Sequence, residues 1–333
     1  MAETATIARI AEIVSDQIFS EFFWTKVGPM NSNWKCEKHD LHKAQTHPTD
    51  VVFFYDEPYE EVTTYVQCDL KSYAAGSLGR SQIEKAIISL SNQVSCAEIS
   101  SEWQSRYVHR HKDFSISGML FVYNHDGGYD RTFSEYLEKL DIDVLDTPEN
   151  GKLIVLGPVE IHWLNNVSQE IVRMRGRSGL EKLPSREACS FFYPQTVRRA
   201  QVRGKQRCAA TLEMLTGPWV ILQHEGDQNR KEGLVVFYRP PGETVDEFLY
   251  LLDYLRQHGL LDQKYSIAIR AIDRTGVAQN NFQKAQQYYI EAMGATYQGD
   301  GSLSDAINDV KFSSMHNLTS TFSEVEIGME YDR

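Results

Sequence analysis

None of the 333 residues lie in an apolar run of about 18, so a membrane-spanning helix is excluded. No basic segment leads into an apolar stretch at the N-terminus, so no export signal is expected and a cytoplasmic location is. Cysteine is scarce. The five present, at 36, 68, 96, 189 and 208, are an odd number without a Cys-x-x-Cys pair, which suits a reducing compartment better than a disulfide framework. The Gly-x-x-x-x-Gly-Lys-[Ser/Thr] phosphate loop and the Gly-x-Ser-x-Gly nucleophile pattern are also missing, which argues against an NTPase and a nucleophile-elbow hydrolase. Positive charge is in short supply, with 34 Lys and Arg against 46 Asp and Glu, a net −12. That balance excludes coating of nucleic acid through bulk charge. What is present, 41% hydrophobic and 11% aromatic residues, is ordinary for a globular chain long enough for two domains.

Periodicity places the elements. Ile7, Ile10, Ala11, Val14, Ile18 and Phe22 line one face of a helix over 5–23. The polar stretch 28–47 reads as a loop outside the core sheet. Residues 51–55 and 63–68 are β-rich runs joined through the acidic turn Asp56-Glu57-Pro58, and so form a hairpin. A helix over 81–96 follows, then a strand over 114–123 that ends at the Asn124–Gly128 turn, a helix over 132–140 and a strand over 152–156. The second half carries strands at 219–223 and 233–238, a helix over 245–258 with Thr244 as N-cap and Gly259 at its end, a strand at 267–272 and a helix over 278–293. Both halves are α/β.

One constellation carries chemistry. Pro48-Thr49-Asp50 opens a hydrophobic strand, and Asp69-Leu70-Lys71 ends the strand that pairs with it. Alternation along a strand puts Asp69 and Lys71 on one face, and hairpin pairing brings Asp50 beside Asp69. Two carboxylates at a sheet edge make a hard-oxygen site for Mg²⁺ or Mn²⁺, which lowers the pKa of bound water and stabilises charge on a phosphodiester. The acid-x-Lys triplet occurs three times, at 69–71, 262–264 and 309–311, against about two expected by chance. The triplet alone therefore carries little weight. Only the first ends a β-rich run with an acid-led strand upstream and helices on both sides.

At these residues the chain resembles the PD-(D/E)xK nuclease superfamily. The pattern departs from the family's in one residue inserted between Pro48 and Asp50, and in Asp69 standing where Glu is commoner. The resemblance covers about residues 5–125. It implies a restriction-endonuclease-like α-β-β-β-α-β core, similar to the RecB and junction-resolvase type, beside a second, smaller β-β-α-β-α domain. Further site residues come from the same resemblance: Glu12 as a helix-borne third metal ligand, with Glu21 on the opposite helix face, and Gln82 in the first turn of the next helix, although Ala86 replaces the aromatic usual four residues on. The implied activity is metal-dependent phosphodiester hydrolysis, in DNA rather than RNA, in restriction, repair or defence against foreign DNA. The alternative is a non-catalytic nucleic-acid-binding or assembly module on the same scaffold.

The expected domains are 1–172 for the nuclease-like unit, 173–210 for a basic connecting segment, and 211–333 for a C-terminal α/β unit serving as sensor or oligomerisation domain. The connecting segment includes Arg173, Arg175, Arg177, Arg198, Arg199, Arg203, Lys205 and Arg207. Residues 173–207 carry a net +8, leaving −20 on the other 298. With Phe191, Phe192 and Tyr193 interleaved, the segment is a candidate nucleic-acid contact. The expected partners are therefore nucleic acid and, beyond it, a second copy or a regulatory protein. Cys36, His39, His42 and His47 offer ligand types that zinc accepts, but four ligands from one short loop without a glycine knuckle is a compressed arrangement, and a solvated loop is the alternative.

Overall fold

The computed structural model describes residues 2–110, 113–179, 182–194, 207–228, 230–273, 275–296 and 301–318, with the main chain alone at 2–10 and 294–296. It divides into two compact units. The first runs from the N-terminus to Ser168 and includes Leu318; the second spans Gln169–Asn317.

In the first unit the chain forms α1 (Ala2–Glu21), β1 (Thr25–Val27), β2 (Ser32–Lys35), α2 (His39–His42), β3 (Thr46–Thr49), β4 (Val51–Asp56) and β5 (Val62–Tyr73). It continues through α3 (Arg80–Ile99), α4 (Ser101–Tyr107), β6 (Asp113–Asn124), β7 (Leu153–Leu156) and α5 (Pro158–Gly176), the last of which crosses the unit boundary. The main sheet has the order β1-β4-β5-β6-β7, and β2 and β3 pair separately. β1, β4 and β5 run antiparallel, whereas β5, β6 and β7 are parallel.

Residues 63–69 and 116–122 are buried throughout, as central strands covered on both faces must be. Phe53 and Tyr55 face α1, where Phe19 stacks on Trp24 at 4.6 Å and lies 5.3 Å from Phe53. Their neighbours Val52 and Phe54 face the opposite layer, with Ile83, Ile87, Leu90 and Val94 of α3. That layer packs tightly at Gly118, where a Cβ would stand 2.5 Å from Leu153 and 2.7 Å from Val94.

One buried side chain fixes how the acid-bearing end of β4 sits on the sheet. Gln67 on β5 is fully enclosed, and its amide oxygen accepts from Thr49 Oγ1 (3.1 Å) and Trp103 Nε1 (3.0 Å). Its amide nitrogen donates to the Pro48 carbonyl (3.1 Å) and to Gln93 Oε1 (3.0 Å). Trp34 Nε1 donates to Thr49 Oγ1 (2.9 Å), so the β2–β3 hairpin joins the same network. Strand, hairpin and both helices of this layer are thereby held at one point.

The second unit has β8 (Cys189–Phe191), α6 (Leu212–Thr216), β9 (Trp219–His224), β10 (Glu232–Tyr238), α7 (Val245–Gln257), β11 (Tyr265–Ala271), α8 (Val277–Thr296), α9 (Ser302–Asn308) and β12 (Lys311–Ser314). They form one sheet, β12-β11-β10-β9-β8. Its core joins Val236, Tyr238 and Ile269 to Phe248, Leu251, Leu252 and Phe282 of α7 and α8. Thr244 caps α7 in a reciprocal box with Glu247, and Gly259 closes it at φ 66°.

Three differences from the sequence reading are structural. The stretch over 132–140 forms only a short 3-10 turn, Phe133–Tyr136, because nine residues with Phe133 as their one deep anchor cannot sustain a helix. The loop over 28–47 contains the small β2–β3 hairpin, outside the main sheet. Where a separate connecting segment was expected over 173–210, α5 runs on to Gly176 and Cys189–Phe191 pairs with β9, so its described part is built into the second unit.

Replacing Gln67 with leucine keeps the volume but strands the Thr49, Trp103 and Gln93 groups in the core. The expected loss of unfolding free energy is about 2–4 kcal/mol, read by chemical denaturation of Gln67→Leu against wild type.

Candidate active site

The antiparallel register pairs Val51 with Cys68 and Phe53 with Val66. One step further, Asp50 stands opposite Asp69. Side chains 65, 67, 69, 71 and 73 of β5 share a face, the one Gln67 presents to α3, and Asp50 shares it with Val52. Asp50, Asp69, Lys71 and Tyr73 therefore converge at the carboxyl end of β5, beyond the apolar layer that fills the rest of that face.

Each group is tied in place. Asp50 Oδ2 accepts the Leu70 main-chain N–H at 2.7 Å, and its carboxyl lies within hydrogen-bonding reach of Asp69. Asp69 is only 5% exposed, and Lys71 Nζ forms an ion pair with its Oδ1. Burial, and then the adjacent Asp69 carboxylate, raise Asp50 to about 6, against the pull of the Leu70 amide and Lys71. Burial works to lower Lys71, but contact with Asp69 outweighs it and Asp50 adds to it, so the ammonium is held above its ordinary value. Lys71 is thus a fixed cation, suited to orienting water or stabilising negative charge and unsuited to taking a proton. The Tyr73 hydroxyl is raised by burial first and by Asp69 next.

Glu12 lies on α1 and reaches this end of the sheet through Asn31. Asn31 Nδ2 donates to Glu12 Oε1 at 2.7 Å, while its own main-chain N–H donates to the Asp50 carbonyl at 3.0 Å. Asn31 adopts φ 49°, a left-handed conformation that asparagine tolerates better than most residues. Gln82 occupies the exposed first turn of α3, where its Oε1 accepts the Gly79 N–H at 3.2 Å and caps its own helix. Asp126 is spent on the turn: its carboxylate accepts from Ala75, Gly128 and Asn124.

Sequence reasoning missed Asn31, Tyr73 and Gln67. Tyr73 was in reach, since it continues the 69–71 alternation. Asn31 and Gln67 give no local sign, because their partners lie 18 to 36 residues away.

The basic residues of the second unit separate into two sets. Glu170, only 2% exposed, binds Arg173 at 2.5 Å and Arg177 at 3.8 Å, and Arg270 Nε lies 3.9 Å from it. That one carboxylate is thus shared among three guanidinium groups inside the unit. Arg175 and Arg207 instead gather with Arg230 around the buried Cys189, whose thiol burial pushes up to about 11 against the pull of those three cations. Arg207 is lowered by burial and then by Arg186, which joins the group. Arg230 comes from the turn between β9 and β10 and was not among the expected residues. Arg198, Arg199, Arg203 and Lys205 lie outside the described residues.

Among the described residues no helix is long and apolar enough to cross a membrane. The model for the PD-(D/E)XK nuclease domain of the GAPS4 protein matches residues 1–160. No curated protein and no solved structure matches the chain. The match takes in the whole of the β4–β5 constellation and the helices on either side of it. Residues 1–160 are thus similar to a PD-(D/E)xK nuclease domain.

Proposed function

We propose that this protein hydrolyses phosphodiester bonds in DNA with Mg²⁺ or Mn²⁺ bound by Asp50 and Asp69, in restriction, repair or defence against foreign DNA. The observation that carries the reading is the crowding of two carboxylates beside a lysine that stays charged. Two acids this close and this buried cannot both ionise without cost, and a divalent cation relieves that cost. The donor set is all oxygen, which favours Mg²⁺ or Mn²⁺ over softer metals. When bound, the cation supplies Lewis-acid charge stabilisation and a more acidic water. The Leu70 amide sets the orientation of the Asp50 carboxylate, and Lys71 holds Asp69 and presents positive charge towards the scissile phosphate. Glu12, positioned through Asn31, is the third acid of the site, and Gln82 orients groups at the mouth formed by the start of α3.

In the second unit, Arg175, Arg207 and the additional Arg186 serve as phosphate contacts for the nucleic acid. Arg173 and Arg177, drawn towards Glu170, and Arg230, paired with Asp227 at 2.6 Å, contribute less. Arg198, Arg199, Arg203 and Lys205 extend that surface in the sequence. The second unit also serves as a sensor or assembly element, through a second copy or a partner protein, in the cytoplasm.

Wild type incubated with Mg²⁺ and plasmid, single-stranded DNA or RNA is expected to cut DNA. Asp69→Ala and Lys71→Ala should each lower the rate by at least about a hundredfold. A wild type that cuts none of the three, or variants that cut as well as it does, would sink the reading.

Calorimetric titration with Mn²⁺ separates the enzyme from a non-catalytic binding module on the same scaffold. The enzyme reading expects binding that Asp50→Asn abolishes. DNA binding indifferent to metal and to that substitution points to the scaffold.

The raised pKa of Asp50 also has a stability consequence. A carboxyl held at about 6 in the folded chain and near its ordinary value when unfolded costs stability as pH rises through that interval. In chelator, Asp50→Asn should therefore be more stable than wild type above pH 6, by about 1–2 kcal/mol, with the advantage vanishing below pH 4. Denaturation at a series of pH values measures both ends.

A further inference from the structure

We propose a structural zinc site in the first unit, made by Cys36, His42, His47 and Cys96. The four side chains come from four places: Cys36 just past the end of β2, His42 at the end of α2, His47 on β3 and Cys96 in the last turn of α3. Their ligand atoms all lie within 4.8 Å of one another. Cys36 Sγ and Cys96 Sγ are 3.6 Å apart; His42 Nδ1 is 3.5 Å from the first and 3.3 Å from the second; and His42 Nδ1 and His47 Nε2 are 3.3 Å apart.

Those four separations match edges of a zinc tetrahedron. With Zn–S near 2.3 Å and Zn–N near 2.05 Å at tetrahedral angles, two sulfurs stand about 3.8 Å apart, sulfur and nitrogen about 3.5 Å, and two nitrogens about 3.3 Å. Hydrogen bonding does not explain the same arrangement. Two thiols and two imidazole nitrogens meeting at one point have too few protons correctly placed to join every pair, and thiols are weak donors.

The surroundings complete the case. Both cysteines are fully buried, His47 is 4% exposed and the His42 side chain 1%. The outer nitrogen of His42, Nε2, is 2.9 Å from Asp146 Oδ2, the carboxylate–histidine–metal relay that fixes a ligating imidazole. Ser95 Oγ (2.7 Å) and Lys38 Nζ (2.8 Å) donate to the same oxygen. The main-chain amides of Glu37 and Lys38 donate to Cys96, as amides do around a metal thiolate. On binding Zn²⁺ each thiol gives up its proton, so the two thiolates and the dication sum to zero, a charge the buried position accepts. Four protein ligands leave no open coordination position, which makes the site structural. It staples the β2–β3 hairpin to α3, and His47 is only three residues before Asp50. His39 is not among the four; Cys96, 60 residues beyond Cys36, takes its place.

The test is metal content of the full chain, purified without chelator and measured by elemental analysis, followed by replacement with Co²⁺. The expected result is one zinc per chain. The cobalt form should show the visible bands of a tetrahedral site with thiolate charge-transfer absorption in the near ultraviolet. Cys36→Ser and Cys96→Ser should each lose the metal, His39→Ala should keep it, and Asp50→Asn should keep it whether or not the nuclease reading holds. Should the cysteine variants misfold, the thiolate bands of wild-type cobalt protein test the ligand type independently. Wild-type protein that takes up neither zinc nor cobalt overturns the site, as does a Cys36–Cys96 disulfide in protein that binds no metal. Zinc retained by Cys96→Ser and lost by His39→Ala overturns this ligand set in favour of the single loop.

Discussion

The register of β4 on β5 is the constraint on which the rest of the first unit depends. Strand side chains alternate, so a slip of one residue would turn Asp50 away from Asp69 and move Val52 and Phe54 from the α3 layer to the α1 layer. The apolar run of β4 fills both layers over most of the hairpin, but it stops at Val51, one residue before the acid that matters. Gln67 carries the specification further. By holding the Pro48 carbonyl and the Thr49 hydroxyl, it fixes the two residues before Asp50 to the middle of the sheet. A buried amide with all four hydrogen-bonding positions filled stabilises this arrangement, whereas the same amide in a shifted register would be stranded.

At the end of that hairpin, function and stability pull in opposite directions. Packing brings two carboxylates together in a partly desolvated corner, which favours the protonated form of Asp50 and costs stability near neutral pH. One cation, Lys71, offsets part of the cost through Asp69. Strain of this kind is usual where a fold gives up local stability to a site.

The second unit changes the meaning of the charge distribution. A net +8 over residues 173–207 suggests a single basic surface, yet Arg173 and Arg177 are drawn to the buried Glu170 and take part in holding α5. The arginines that gather at Cys189 come from α5, the turn before β8, the approach to α6 and the β9–β10 turn, a set spread over 56 residues. Charge counted along the chain and charge gathered in space are different quantities. Only the second produces a local field that a phosphate can use.

What the sequence determined by itself was whatever depends on neighbours a few residues apart: the helices α1, α3, α7 and α8, the strands β4, β5, β6, β9, β10 and β11, and the pairing that sets Asp50, Asp69 and Lys71 together. Apolar periodicity and strand alternation are local properties and can be read in order along the chain. Only the tertiary structure decided the rest. The short edge strands β8 and β12 have little pattern of their own and exist through their neighbours. The stretch over 132–140 has helix-like spacing but too little to pack against. Asn31, Gln67 and Cys96 each act across 18 to 60 residues, on partners that chain order does not reveal. Such contacts form only when packing brings distant segments to one point, because closing a long loop must be offset by burial elsewhere.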